Sequence, residues 1–182
     1  MNSSVRSDLA IESAEMFNKT EKLRGVRIYE EEGKTSGIHI TRVIVENAEG
    51  AEKLGKDIGE YITLEVPMLD QTDVSYHREI TGEVARQLKK LIPDIKNKKI
   101  LVAGIGNREM SPDALGPMVA EHLFITRHLI REYGRTSDIT RGMGCVSALA
   151  PGVMAQTGIE TREILLGTVT MTKPDVLIAI DA

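Results

Sequence analysis

KKILVAGIGNREMSPDALGP, residues 98–117, decides the fold. Two lysines precede Ile100 to Gly104, a run with no polar side chain. A short run of this kind reads as a strand covered on both faces, as in parallel sheets flanked by helices. A glycine-bearing turn follows, then Ser111-Pro112-Asp113. Serine suits an N-cap and proline suits the first helical position, so Asp113 is expected at N2. The helix is expected to run from Pro112 to about Tyr133.

The same pattern recurs outward from this stretch. VLIAID, residues 176–181, is a second apolar strand, preceded by an expected helix over 160–172. Upstream, Ile80, Val84, Leu88 and Leu91 fall on one stripe at helical spacing. They predict a helix from about Asp73 to Leu91, with Pro93 just beyond its end. Ser7 reads as the N-cap of a helix carrying Leu9, Ala10, Ala14, Met16 and Phe17. GVRIYEEE and IHITRVIVE, joined by the turn GKTSG, read as an antiparallel hairpin near residues 26–45. Asn47 is placed to cap a short helix, and YITLEV is a strand stopped by Pro67. Residues 138–158 are glycine-rich and lack a period, as an active-site loop would. Together these elements predict an α/β fold in three layers with a mainly parallel central sheet. No linker divides the chain, so a single α/β domain over 1–182 is expected.

Composition narrows the classes of function. The 182 residues are 41% hydrophobic and 27% charged, the balance of a globular chain. A net charge of −4 argues against a dedicated nucleic-acid binder. With no Trp, two Phe and four Tyr, a base-stacking platform would be hard to build. One cysteine makes no intrachain disulfide, which fits a reducing compartment. No stretch approaches the ~20 apolar residues of a membrane span.

The loop after the first apolar strand has two chemical readings. A dinucleotide fingerprint needs a third glycine where this chain has Glu109, whose charge would repel a pyrophosphate. A phosphate loop ending in Gly-Lys-Ser/Thr is also absent. The other reading rests on Asp113 at a helix mouth, at the carboxyl end of a strand, where open α/β sheets bind ligands. An acidic residue there often serves only the helix dipole. Asp181 strengthens the catalytic reading, because it closes the second apolar strand. If the two strands are neighbours, the carboxyls converge. Two close carboxyls do not both ionise easily, which supplies an acid and a base for activating water.

Four blocks resemble the spore germination protease family: SVRSDLAIE at 4–12, GIGNREMSPDALGP at 104–117, APGVMAQTGIET at 150–161 and KPDVLIAIDA at 173–182. Their order agrees, and they spread over nearly the whole chain. The resemblance implies an endopeptidase of spore-forming bacteria that begins breakdown of small acid-soluble spore proteins during germination. It implies catalytic aspartates at Asp113 and Asp181, no cofactor, and a cytoplasmic location in the spore core. It also implies a zymogen that processes itself near the N-terminus, a homotetramer, and a fold like that of the hydrogenase maturation proteases. Family members continue for well over a hundred residues beyond this point, so a C-terminally truncated chain is expected, with activity and assembly to be tested. SVRSDLAIESAE is expected near the site, covering it before processing. A metal-binding maturation-type protease and a fragment that only folds or assembles are the alternatives.

The remaining chemistry is weaker. Cys145, in GMGCVSALAPG, has no histidine at a telling spacing and reads as a small buried residue. His122 and His128 are not at the i, i+4 spacing of a helical metal pair. The segment GMGCVSALAPGVMAQTG is a candidate lining for a substrate cleft, or a packed loop under the sheet.

Overall fold

The computed structural model describes residues 24–34, 37–67 and 73–182. The expected first helix after Ser7 and the segment SVRSDLAIESAE lie outside the described residues. The chain forms two compact units, residues 1–91 and 92–182.

In the first unit, β1 (Val26–Glu32), β2 (His39–Val45) and β3 (Gly59–Glu65) form an antiparallel sheet in the order β1-β2-β3. The expected hairpin forms, with Val26 opposite Val45 and Glu32 opposite His39. β2 is central and its two faces meet different partners. Val43 and Val45 pack with Leu54 of α1 (Ala48–Leu54), while Ile38 and Ile40 pack with Ile80 of α2 (Val74–Leu91). Asn47 caps α1 as expected, its side-chain oxygen accepting from the Gly50 N–H at 3.0 Å. Asp73 begins α2 by accepting from the N–H and hydroxyl of Ser75.

The period of α2 is as read, but the buried face is different. Ile80, Glu83 and Gln87 are buried, whereas Val84, Leu88 and Leu91 are exposed. Buried Glu83 is tolerable because it is paired and hydrogen-bonded. It forms an ion pair with Arg86 and accepts from the Gln87 amide and from the Lys34 N–H.

The second unit carries the apolar strands. β4 (Lys99–Gly104) lies between β5 (Cys145–Leu149) and β6 (Val176–Ile180), parallel to both. Ile100 to Gly104 are all buried, as a central parallel strand requires. β6 departs from the expected burial on both faces. Its residues alternate between half-buried and exposed, with Leu177 43% exposed, so one face of this strand, an edge strand among the described elements, is less covered than the other. The described strands therefore divide evenly between an antiparallel and a parallel sheet, where a mainly parallel sheet was expected.

The expected long helix after the loop is broken. A 3₁₀ turn at Ser111–Asp113 leads into α3 (Leu115–His122), and α4 (Arg127–Tyr133) follows separately. The interruption has a cause at Thr126. Its N–H donates to the Val146 carbonyl at 3.0 Å, and its hydroxyl accepts from the Val146 N–H at 2.9 Å. The chain is thus drawn onto the β5 edge before a helix can resume. The supposed loop at 138–158 contains β5 and the one-turn helix α5 (Met154–Thr157). Helix α6 (Thr161–Thr172) matches its expected span closely.

Two helical glycines, Gly82 in α2 and Gly167 in α6, have open space where a Cβ would stand. Alanine at either is expected to stabilise the protein by about 0.5–1 kcal/mol, by restricting the unfolded chain. Urea unfolding of each variant measures this.

Candidate active site

The site is built where β4 and β6 end together. Gly104 is the register partner of Ile180, and the Ile105 N–H donates to the Ile180 carbonyl at 2.8 Å. Asp181 follows directly on Ile180, so it leaves the sheet beside Ile105. It is exposed, and its Oδ1 accepts from the Ala182 N–H at 3.0 Å. The sheet therefore delivers Asp181 to the rim from which the β4 loop departs.

Asp113 lies toward the far end of that loop and bonds back to its start. Its carboxylate Oδ2 accepts from the Asn107 N–H at 2.7 Å. Its own N–H donates to the Met110 carbonyl at 2.8 Å, closing the turn. Asp113 is half-buried and sits in the 3₁₀ turn rather than at N2 of an α-helix. Ser111 makes no side-chain cap; the residue before α3 is Ala114. The expected N-cap geometry is thus replaced by a backbone N–H reaching the carboxylate across the loop.

Three glycines make this arrangement sterically possible. Gly106 has φ +122°, and a Cβ there would stand 2.2 Å from the Asp113 carbonyl oxygen and 2.8 Å from its Oδ1. A Cβ at Gly104 would meet the Gly116 carbonyl oxygen at 2.1 Å. A Cβ at Gly116 would meet the carbonyl oxygens of Ile105 and Ile180, each at 2.3 Å. The close-packing glycine missing at Glu109 is supplied instead from the start of α3. Gly106→Ala is expected to displace Asp113, since both the backbone angle and the contact forbid a side chain. If Asp113 is a reacting group, turnover should fall at least ~10-fold, as with other small misplacements. Single-turnover cleavage kinetics would show it.

Asn107 and Gln156 belong to this environment, and both escaped the sequence reading. The Asn107 side-chain oxygen accepts from the Glu109 N–H at 3.0 Å and from the Gln156 amide at 3.3 Å. The only signal in the sequence was their place inside GIGN and APGVMAQTG, which names no bond. Arg108 turns away to an ion pair with Glu121 of α3. Cys145 is buried at the start of β5, as expected. His122 and His128 lie on different helices, and the His122 ring nitrogen Nδ1 is 2.7 Å from the Met118 carbonyl. Among the described residues, no three His, Cys, Asp or Glu side chains form a group that could hold a metal ion. No described helix is long and apolar enough to cross a membrane.

Known proteins supply the class. The sequence model of a family of aspartic-type endopeptidases matches residues 5–182. The chain belongs to that family, the germination proteases. It is 42% identical over 180 residues to the germination protease of Caldanaerobacter subterraneus subsp. tengcongensis, covering 98% of this chain and 53% of the relative. It is 40% identical over 181 residues to that of Clostridium tetani, covering 98% and 55%. The Bacillus cytotoxicus germination protease is 38% identical over 185 residues, with 98% and 49% covered. The chain thus spans about half the length of the curated relatives it matches.

Proposed function

We propose that this chain carries the catalytic residues of an aspartate-dependent endopeptidase that begins degradation of small acid-soluble spore proteins. Asp113 and Asp181 share the acid and base roles toward the attacking water. The observation that carries this is topological. The parallel pairing of β4 with β6 puts Asp181 at the strand end from which the loop bearing Asp113 departs. Ligand crevices of open α/β sheets lie at such strand ends.

The proposed reaction is a hydrolysis with no cofactor. One carboxylate takes a proton from water as it attacks the scissile carbonyl; the other carboxyl gives a proton to the departing amine. The Asn107 N–H holds one oxygen of Asp113, which limits rotation of that carboxylate. The wider features belong to the same proposal: a zymogen processed near its N-terminus, a homotetramer, action in the spore core, and a three-layer arrangement like the hydrogenase maturation proteases.

The test is cleavage of a purified small acid-soluble spore protein by the unsubstituted protein and by Asp113→Asn and Asp181→Asn. Full activity in either variant removes that residue from the mechanism. If residues 1–182 fail to cut while a longer form succeeds, that supports the alternative in which this part by itself only folds or assembles, and the two aspartate variants are then compared in the longer form. Stoichiometric nickel or zinc in the active protein would instead favour the metal-dependent relative of this fold.

A further inference from the structure

We propose that Gln156 is a positioning residue for Asp113, acting through Asn107. This rests on the reading of Asp113 as a catalytic carboxylate. Gln156 belongs to α5, in the segment that follows β5, while Asn107 belongs to the loop that follows β4. The two segments leave adjacent parallel strands at the same end, with Ala103 opposite Leu149 in the register. The Gln156 amide crosses between them and donates to the Asn107 side-chain oxygen at 3.3 Å. That oxygen also holds the Glu109 N–H, so it fixes the loop on both sides of Arg108. With the loop fixed, the Asn107 backbone N–H stands 2.7 Å from Asp113 Oδ2.

Gln156 has a second bond that makes the idea separable from simple folding. Its Oε1 accepts from the Val153 N–H at 3.5 Å, at the start of its own helical turn. Gly152 keeps space for this, since a Cβ there would stand 3.0 Å from the same oxygen. One end of the side chain thus serves α5, and the other serves the loop of Asp113. Glutamate at 156 keeps the first contact and loses the second, because a carboxylate cannot donate.

The experiment compares Gln156→Glu, Gln156→Ala and Asp113→Asn in the full protein, by steady-state cleavage of a small acid-soluble spore protein and by thermal unfolding. Both Gln156 variants should lower kcat roughly 5- to 100-fold with KM nearly unchanged, the pattern of a displaced reacting group. Their melting temperatures should stay close to that of the unsubstituted protein, because Gln156 is exposed. A role confined to α5 gives a different result: Gln156→Ala impaired and Gln156→Glu normal. Unchanged kcat in Gln156→Glu overturns the inference, as does a loss carried by KM alone. Asp113→Asn separates the two levels. If it retains full activity, the catalytic reading itself fails; if it is inactive while Gln156→Glu is normal, only the positioning role fails.

Discussion

Asp113→Asn and Asp181→Asn are each expected to lower kcat on a small acid-soluble spore protein by about 10³-fold or more, with KM little changed. Asparagine has nearly the shape of aspartate, so the substitution removes proton-transfer capacity and leaves packing in place. At position 113 the amide oxygen can still accept from the Asn107 N–H, the bond that carboxylate makes among the described residues. At position 181 the side chain is exposed and, among the described residues, bonds to its neighbour's N–H alone, so little stability is expected to depend on it. Loss of activity with an unchanged melting temperature would therefore report chemistry. The double variant should be scarcely worse than either single one, since groups that act as a unit are not additive. Two single losses that multiply would show instead that the carboxyls act independently.

Gly116→Ala is expected to destabilise the second unit by about 3 kcal/mol or more, the upper end of overpacking costs. The reason is the identity of the neighbours. A Cβ at 116 would meet two carbonyl oxygens at 2.3 Å and the Ile105 nitrogen at 2.6 Å. All are backbone atoms, and a backbone cannot rotate aside as a side chain can. The Ile105–Ile180 hydrogen bond lies within the same contact, so relief of the clash would separate the β4 and β6 ends. Both stability and activity should then fall, in contrast to the aspartate variants. Urea unfolding beside Gly167→Ala supplies the comparison, because Gly167 has open space and should move the midpoint the other way.

Local pattern was informative where one face or one run settled the matter. The unbroken run Ile100 to Gly104 marked a central strand, and it is buried throughout. Asn47 announced a helix start and makes the cap bond. The two aspartates were visible as residues that close or follow apolar strands. Pattern failed where a distant partner decided the outcome. The stripe of α2 named a helix but not its buried face, because Glu83 gains partners in Arg86, Gln87 and Lys34 that no spacing shows. The single helix expected to Tyr133 breaks because Thr126 bonds to β5, a strand hidden in glycine-rich sequence.

Element type and family membership could thus be read from the chain alone, since periodicity, capping residues and long motifs are local. Strand order could not. That β4 lies between β5 and β6, with Asp181 delivered beside Ile105, depends on backbone pairing between segments far apart in sequence. Nor could the role of Gly116, which looks like an ordinary helical glycine until two carbonyl oxygens close around it. Nor could the bond from Gln156 to Asn107, which exists only because adjacent parallel strands release their loops at one end. Side-chain chemistry is written residue by residue, but which residues meet is decided by the packing of buried faces, and only the folded chain performs that selection.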